Sequence, residues 1–357
     1  MTALIYRETG QFKSSYAADQ AIFPILQDKI GIALILLVAW VLLPLFGSAY
    51  FLRAIMTPFL ILALGAIGLN LLLGYCGQIS LGTGAFMAVG AYAAYNLSVR
   101  LPGLPLILDF LLAGGCAALV GVLFGIPSLR IKGLYLAVAT LAAQFFVDWL
   151  VSRVAWITND TPSGSVSAPP MTVLGWTIDS DVDRYLFCLA FACFFAWIAK
   201  NLVRSRIGRS WMAIRDMDIA AEIIGIRPMA AKLSAFAVSS FIAGIAGALW
   251  AFVHLGAWEP LAFGIQMSFN LLFMCIIGGL GSILGAFLGA AFITLTPIFL
   301  NQAPRLFGIS LSIDVLAHLE AMVFGGLIIF FLIVEPHGLA RLWSIAKEKL
   351  RRWPFPY

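Results

Sequence analysis

Apolar residues in this chain run in long blocks, with neither the two-residue alternation of half-buried strands nor the stripes of surface helices. A helix needs about 20 apolar residues to cross a bilayer, and somewhat fewer inside a bundle. Ten such blocks stand out: 30–47, 51–73, 81–99, 105–126, 133–151, 184–203, 233–254, 265–279, 283–301 and 315–334. The pattern predicts an all-α fold, a polytopic membrane helix bundle of about ten transmembrane helices. Blocks eight and nine flank the short Gly278–Gly281 turn, which leaves a re-entrant pair open beside two full crossings. The first 29 residues are mixed and polar, so no cleaved signal peptide is expected.

Composition excludes the other broad classes. The 357 residues are 62% hydrophobic and 11% charged, with a mean hydropathy of +1.00. Soluble domains have about 45–50% and about 25%. A soluble enzyme, a disordered chain and a disulfide scaffold are therefore ruled out. Charge then chooses an orientation. With the N-terminus in the cytoplasm, 17 of the 22 Lys and Arg residues fall on cytoplasmic segments, and only Arg53, Arg100, Arg153, Arg184 and Arg305 fall outside. The positive-inside bias thus places both termini in the cytoplasm. The expected layout is a cytoplasmic segment 1–29, a membrane domain 30–334 with an external loop 152–183 and a cytoplasmic loop 204–232, and a basic tail 335–357. The net charge of +5 needs no nucleic-acid partner, only a lipid bilayer.

Little in the chain points to chemistry of its own. The five cysteines lie in or beside apolar blocks without C-x-x-C spacing, and the three histidines (His254, His318, His337) are scattered, so neither a metal site nor a catalytic site is expected. No G-x-x-x-x-G-K-[ST] loop is present. Glu320, near His318, is the one ionisable group well inside a block, which disfavours a proton-driven carrier with a charged relay. What stands out is Asn70-Leu-Leu-Leu-Gly74-Tyr75-Cys-Gly77-Gln78-Ile-Ser80-Leu-Gly82-Thr83-Gly84, where a span breaks into Gly-rich polar backbone and then resumes. Broken helices mark transport pathways, and a plain cytoplasmic turn is the competing reading. Asn70, Gln78, Ser80 and Thr83 are candidate path residues, with Tyr135, Gln144 and Asn270 as weaker ones.

Loop 204–232 is the second informative stretch. Ile214, Met217, Ala221 and Ile224 form one stripe of a short amphipathic helix over 214–224, and Arg215, Asp218 and Glu222 lie opposite. Gly225 and Pro228 supply the stop signal. Either the helix rests on lipid headgroups or it fits a groove in a motor subunit. Its mixed charge favours the groove. At 11 residues it is too short to be stable alone, so its helicity is expected to depend on docking.

Five stretches together resemble a known family. They are Gly68-Leu69-Asn70-Leu71-Leu72 with Gly74 to Phe86; Gly133 to Ala137; Gly208-Arg209 with Ala213-Ile214-Arg215-Asp216, Ala220-Ala221-Glu222, Gly225-Ile226 and Lys232; Gly278 to Ser282; and Glu335-Pro336 with Gly338-Leu339. In this order they look like LivM-type permeases, membrane subunits of ATP-binding-cassette importers for branched-chain amino acids. The resemblance covers roughly residues 30–340. It implies a LivH-like second permease, two ATP-binding-cassette ATPase subunits and an extracytoplasmic solute-binding protein as partners, in a bacterial inner membrane. ATP and Mg would sit on the ATPases and no cofactor on this chain, so the chain is not an enzyme. It also implies an ATPase-coupling role for Ile214, Arg215, Asp216, Asp218, Ala220, Ala221, Glu222 and Gly225. Two departures are visible: Ile219 replaces the acid that opens the usual Glu-Ala-Ala motif, and loop 158–168 lacks the family's glycine-rich segment. Family members importing urea, amides or aromatic acids are the alternative, and a stand-alone secondary transporter is the more distant one.

Overall fold

The computed structural model describes residues 15, 26–128, 134–159, 161, 163–173, 175–306, 313–335 and 337–352. A helix occupies each apolar block. In chain order, with two more polar helices included, they are α1 (Gln27–Phe46), α2 (Phe51–Tyr75), α3 (Thr83–Arg100), α4 (Leu106–Ser128), α5 (Leu134–Arg153), α6 (Asp181–Arg204), the polar α7 (Arg206–Ile223), α8 (Pro228–Leu255), α9 (Ile265–Gly278), α10 (Ile283–Leu306), α11 (Ile313–Val334) and the polar α12 (Gly338–Arg352). Eight are long and apolar enough to cross a membrane by length and composition; α3 and α11 complete the bundle. This is a polytopic membrane protein. The pair flanking the Gly278–Gly281 turn consists of two separate helices. With the 3₁₀ turn Pro260–Phe263 before α9, the two reach 19 and 20 residues over Pro260–Gly278 and Ile283–Gln302, enough for two crossings.

Local signals set the helix ends. Ser180 accepts the Asp183 amide at 3.1 Å and places Asp181 and Asp183 on the positive first turn of α6. Pro228 starts α8, where a missing N–H leaves no hydrogen bond unmade. Helices α2, α3 and α8 form the centre, with α3 buried along most of its length and α4 packed against α3 and α8. Without a hydrophobic drive between helices in lipid, close backbone approach holds them together, and that requires small residues. A Cβ at Gly90 would fall on the Gly244 carbonyl, and one at Gly247 on the Met87 carbonyl. The Gly285/Gly289 pair does the same between α10 and α9, packing on the Gly278 and Met274 carbonyls. Helix α1 lies at the periphery, exposing Leu34, Leu36, Leu45 and Phe46, and the Tyr185 hydroxyl holds it by donating to the Ala39 carbonyl at 2.9 Å.

The two ends of the bundle differ. At one, α7 packs across the ends of α2, α6 and α8, Gly338 of α12 packs on Gly279, and Lys347 Nζ lies 2.6 Å from Asp28 Oδ1. The start of α1 and the end of α12 therefore share the α7 end. At the other end a connecting segment folds back: β1 (Val166–Ser167) pairs antiparallel with β4 (Ala257–Trp258), and β2 (Thr172–Val173) with β3 (Trp176–Thr177). Trp258 is buried against the rings of Tyr92, Tyr95 and Phe252.

Gly247→Val should overpack the α3–α8 crossing and lower stability by roughly 1–3 kcal/mol. Gly115→Ala, where a Cβ meets open space, should be neutral. Thermal unfolding of the detergent-solubilised chain, followed by size-exclusion profile, checks both; equal midpoints for the two variants would refute the packing argument.

Candidate functional site

The site lies where α2 stops. Its last turn widens to a π-turn over Leu71–Tyr75, and the chain reverses at Gly77, whose φ of +71° suits a residue without Cβ. Irregular backbone buried in a bundle survives only if its polar groups find partners inside the protein. Neighbouring helices supply them. Thr140 Oγ1 accepts the Leu81 amide at 2.9 Å, Ser268 Oγ accepts the Gly84 amide at 2.8 Å, and Gln144 Oε1 accepts the Ala85 amide at 2.7 Å. Gln144 Nε2 donates to the Phe263 carbonyl at 3.0 Å and to Asp148 at 3.1 Å. The first turn of α3 is thus capped from α5 and α9.

Asn70 makes a second knot. Its Nδ2 donates to the Ser282 carbonyl at 2.9 Å and the Gly279 carbonyl at 3.3 Å, while Oδ1 accepts the Gly281 amide at 2.9 Å. Arg215 makes the third, and it comes from α7. Its Nη1 donates to the Gly74 carbonyl at 2.9 Å, its Nε to Asp216 Oδ1 at 2.9 Å, and its side chain packs where a Cβ on Gly77 would come within 3.0 Å. Beside it the buried Lys232 lies 3.9 Å from Asp218. Between the break and α7 is a cavity of about 320 Å³ lined by Gln78, Leu136, Ile214, Arg215, Asp218 and Lys232. Cys76 is buried in the turn, and burial pushes its thiol up to about 12, with Lys232 pulling partly back.

The candidate path residues therefore lie in different surroundings. Gln78 lines the cavity and donates to the Cys76 carbonyl at 3.3 Å. Ser80, Thr83 and Gln144 are buried around the start of α3, and Asn70 is fully engaged by the 279–282 turn. Asn270 is half-exposed and accepts from Gln266, and Tyr135 is 75% exposed on the outside of α5. The structure does not bring these last two to the break. Gly133, Pro336 and the Glu320 side chain lie outside the described residues. Among the described residues, no three His, Cys, Asp or Glu side chains come together as a metal site would require.

Helix α7 departs from the expected stripe. It is 18 residues long, starts at an N-cap where Ser205 Oγ accepts the Ile207 amide at 3.2 Å, and is anchored by the buried Trp211, whose Nε1 donates to Ser234 Oγ at 2.9 Å. It is thus longer than the 11 residues expected and is held to the bundle by its own chain. At Met217 the backbone leaves helical geometry (φ −160°, ψ 98°). The kink resets the helical phase, so Ile214 and Ala221 face the bundle, while Met217 and Ile224 are 65% and 73% exposed together with Ile219 and Ile223. Arg215 points inward, not to the outer polar face; Asp216, Ala220 and Glu222 are exposed. Gly225, at φ +90°, ends the helix in a Schellman turn: its amide donates to the Glu222 carbonyl and that of Ile226 to Ala221, both at 3.0 Å. Sequence reasoning missed Trp211, Thr140 and Ser268. A tryptophan inside a polar loop was the only advance sign of an anchor.

Residues 51–332 match the family model described as branched-chain amino acid transport system / permease component. The chain belongs to this permease family. The permease is 30% identical over 329 residues to the high-affinity branched-chain amino acid transport system permease protein LivM of Salmonella typhimurium LT2, covering 86% of this chain and 73% of the relative. The Escherichia coli K12 protein of that name gives the same identity and coverage. Over 189 residues, half of each chain, it is 29% identical to the autoinducer 2 import system permease protein LsrC of Klebsiella pneumoniae. No solved structure matches the permease significantly.

In the permease Arg215 ties α7 to the backbone beside the turn that buries Cys76. Wild-type Cys76 should resist maleimide, because at pH 8 a thiol with a pKa of about 12 is roughly one part in ten thousand thiolate. Arg215→Ala removes a charge-assisted bond worth about 1.5 kcal/mol at this half-exposed position and should raise Cys76 alkylation roughly tenfold. Mass spectrometry of labelled peptides checks it, and an unchanged rate would show that the tether does not hold the turn.

Proposed function

We propose that this permease is one of two membrane subunits of an ATP-binding-cassette importer for branched-chain amino acids in a bacterial inner membrane. The substrate class follows the names of its LivM relatives. A LivH-like permease supplies the other half of the pathway, two ATPase subunits bind ATP and Mg, and an extracytoplasmic binding protein delivers the solute. The charge asymmetry of the sequence supports a cytoplasmic α7 end, and the start of α1 and the end of α12 lie at that end.

One observation carries the coupling role. A kinked helix presents Met217, Ile219, Ile223 and Ile224 outward, while Arg215 on the same helix donates to the backbone of the break. Apolar residues projecting from one helix fit a groove in a partner. Movement of that groove on ATP binding would reach the break through Arg215 and Asp218–Lys232, shifting the population between inward- and outward-facing states.

Ile219→Glu with Ile223→Glu should leave the bundle folded, since these side chains are 66% and 81% exposed. Asp218→Lys is a poorer probe, because it would set a second cation against buried Lys232. The double Glu variant should lose at least about tenfold in ATPase co-purification, as loss of an apolar anchor predicts, and lose leucine uptake in proteoliposomes containing the whole importer. Normal ATPase yield would refute the coupling role. Uptake of urea but not of leucine, isoleucine or valine by the wild type would refute the substrate.

A further inference from the structure

Helix α12 has the opposite electrostatic character to α7. Over Arg206–Ile223 three arginines balance three acids, whereas Gly338–Arg352 carries Arg341, Lys347, Lys349, Arg351 and Arg352 against Glu348 alone. On a helical wheel Leu339, Leu342, Trp343 and Ala346 share one face, and Lys347 and Lys349 flank it on either side. Leu342, Trp343 and Ile345 are 44%, 52% and 37% exposed.

Its mounting fixes its direction. At its start Gly338 packs under the 279–282 turn, so closely that a Cβ there would come within 2.6 Å of the Gly279 nitrogen, and Arg341 lies 3.6 Å from Glu335 at the end of α11. Near its far end Lys347 meets Asp28 at the start of α1. Both attachment points are ends of membrane-crossing helices on the same side of the bundle. A 15-residue helix, about 22 Å long, held at two such points lies along the membrane surface and does not project from it. In that plane an apolar face bordered by lysines sits at the headgroup boundary, where the aromatic ring of Trp343 and long basic side chains are at home.

We propose that α12 is an in-plane surface helix that binds the headgroups of anionic phospholipids at the α7 end of the permease. The net charge chooses lipid over protein: an excess of four bases suits an anionic bilayer, as the neutral α7 does not. The proposal rests on the membrane fold and not on the importer reading, and its test does not require transport.

The full-length chain, with native cysteines replaced and Leu342→Cys carrying an environment-sensitive fluorophore, is reconstituted in vesicles of phosphatidylcholine alone or with about one-third phosphatidylglycerol. Brominated lipid should quench the label in the anionic vesicles, and aqueous iodide should not. Neutralising Lys349, Arg351 and Arg352 to Gln should weaken the preference for the anionic lipid by roughly fivefold per charge. Raising salt to about 1 M should do the same without mutation, since screening shortens to about 3 Å. Inorganic phosphate at millimolar concentration should not compete. Four results would overturn the proposal: iodide quenching that is equal in both vesicles, lipid quenching that ignores both charge and salt, displacement by free phosphate, or shielding that appears only when ATPase subunits are added.

Discussion

The α7 end is organised by one constraint: backbone N–H and C=O groups freed where a helix breaks inside the packed bundle must be satisfied by the protein itself. Breaking the helix between Tyr75 and Thr83 leaves carbonyls at the end of α2 and amides at the start of α3 without helical partners. The Leu72 and Leu73 carbonyls accept the Gln78 and Gly77 amides, and side chains meet others: Arg215 the Gly74 carbonyl, and Thr140, Ser268 and Gln144 the Leu81, Gly84 and Ala85 amides. These side-chain bonds come from α5, α7 and α9, so the break ties three distant parts of the chain into one unit. They also fill the positive end of α3. A half-helix N-terminus is otherwise a natural seat for a carboxylate, and here neutral side chains already occupy its amides. In this conformation the break is a structural joint.

Close glycine packing makes that joint stiff. Where Gly90 meets Gly244 and Gly247 meets Met87, the backbones of α3 and α8 touch, and Gly285 and Gly289 bring α10 as near to α9. Such contacts leave no side chains to shear past one another. Motion at one end is therefore carried by whole helices.

The sequence showed the parts and not their connections. All ten long helices were legible, because apolar length is a one-dimensional property, and so was the glycine stop at Gly225. The break at 76–82 was visible as polar residues interrupting a span. The partners of that break were not. Thr140 and Ser268 read as ordinary small residues in apolar blocks, and only tertiary packing places them against α3 amides 59 and 184 positions away. Arg215 was assigned to an outer face by a helical wheel that assumed one continuous helix; the non-helical backbone at Met217 breaks that assumption, and no residue there announces it. A polar group inside a span is expected to face the bundle interior or water, and Asn70 turns to the interior, where it makes three hydrogen bonds to 279–282.

The strength of these links bears on how force would cross the joint. Moving a two-state equilibrium from 1:99 to 99:1 takes about 5.5 kcal/mol. The three Asn70 bonds contribute about 1 kcal/mol each, and the Arg215–Gly74 bond, made by a charged donor, about 1.5. Their sum is of the same order as the work of switching. Had the contacts been single neutral bonds on an exposed face, α7 could slip relative to the break before the bundle responded. Because Arg215 sits between Gly74, Gly77 and Gly281, where no side chain intervenes, a displacement of α7 moves the end of α2 and the 279–282 turn together. The glycines at this end thus do more than permit tight turns: they remove the side-chain layer that would otherwise cushion one element against the next.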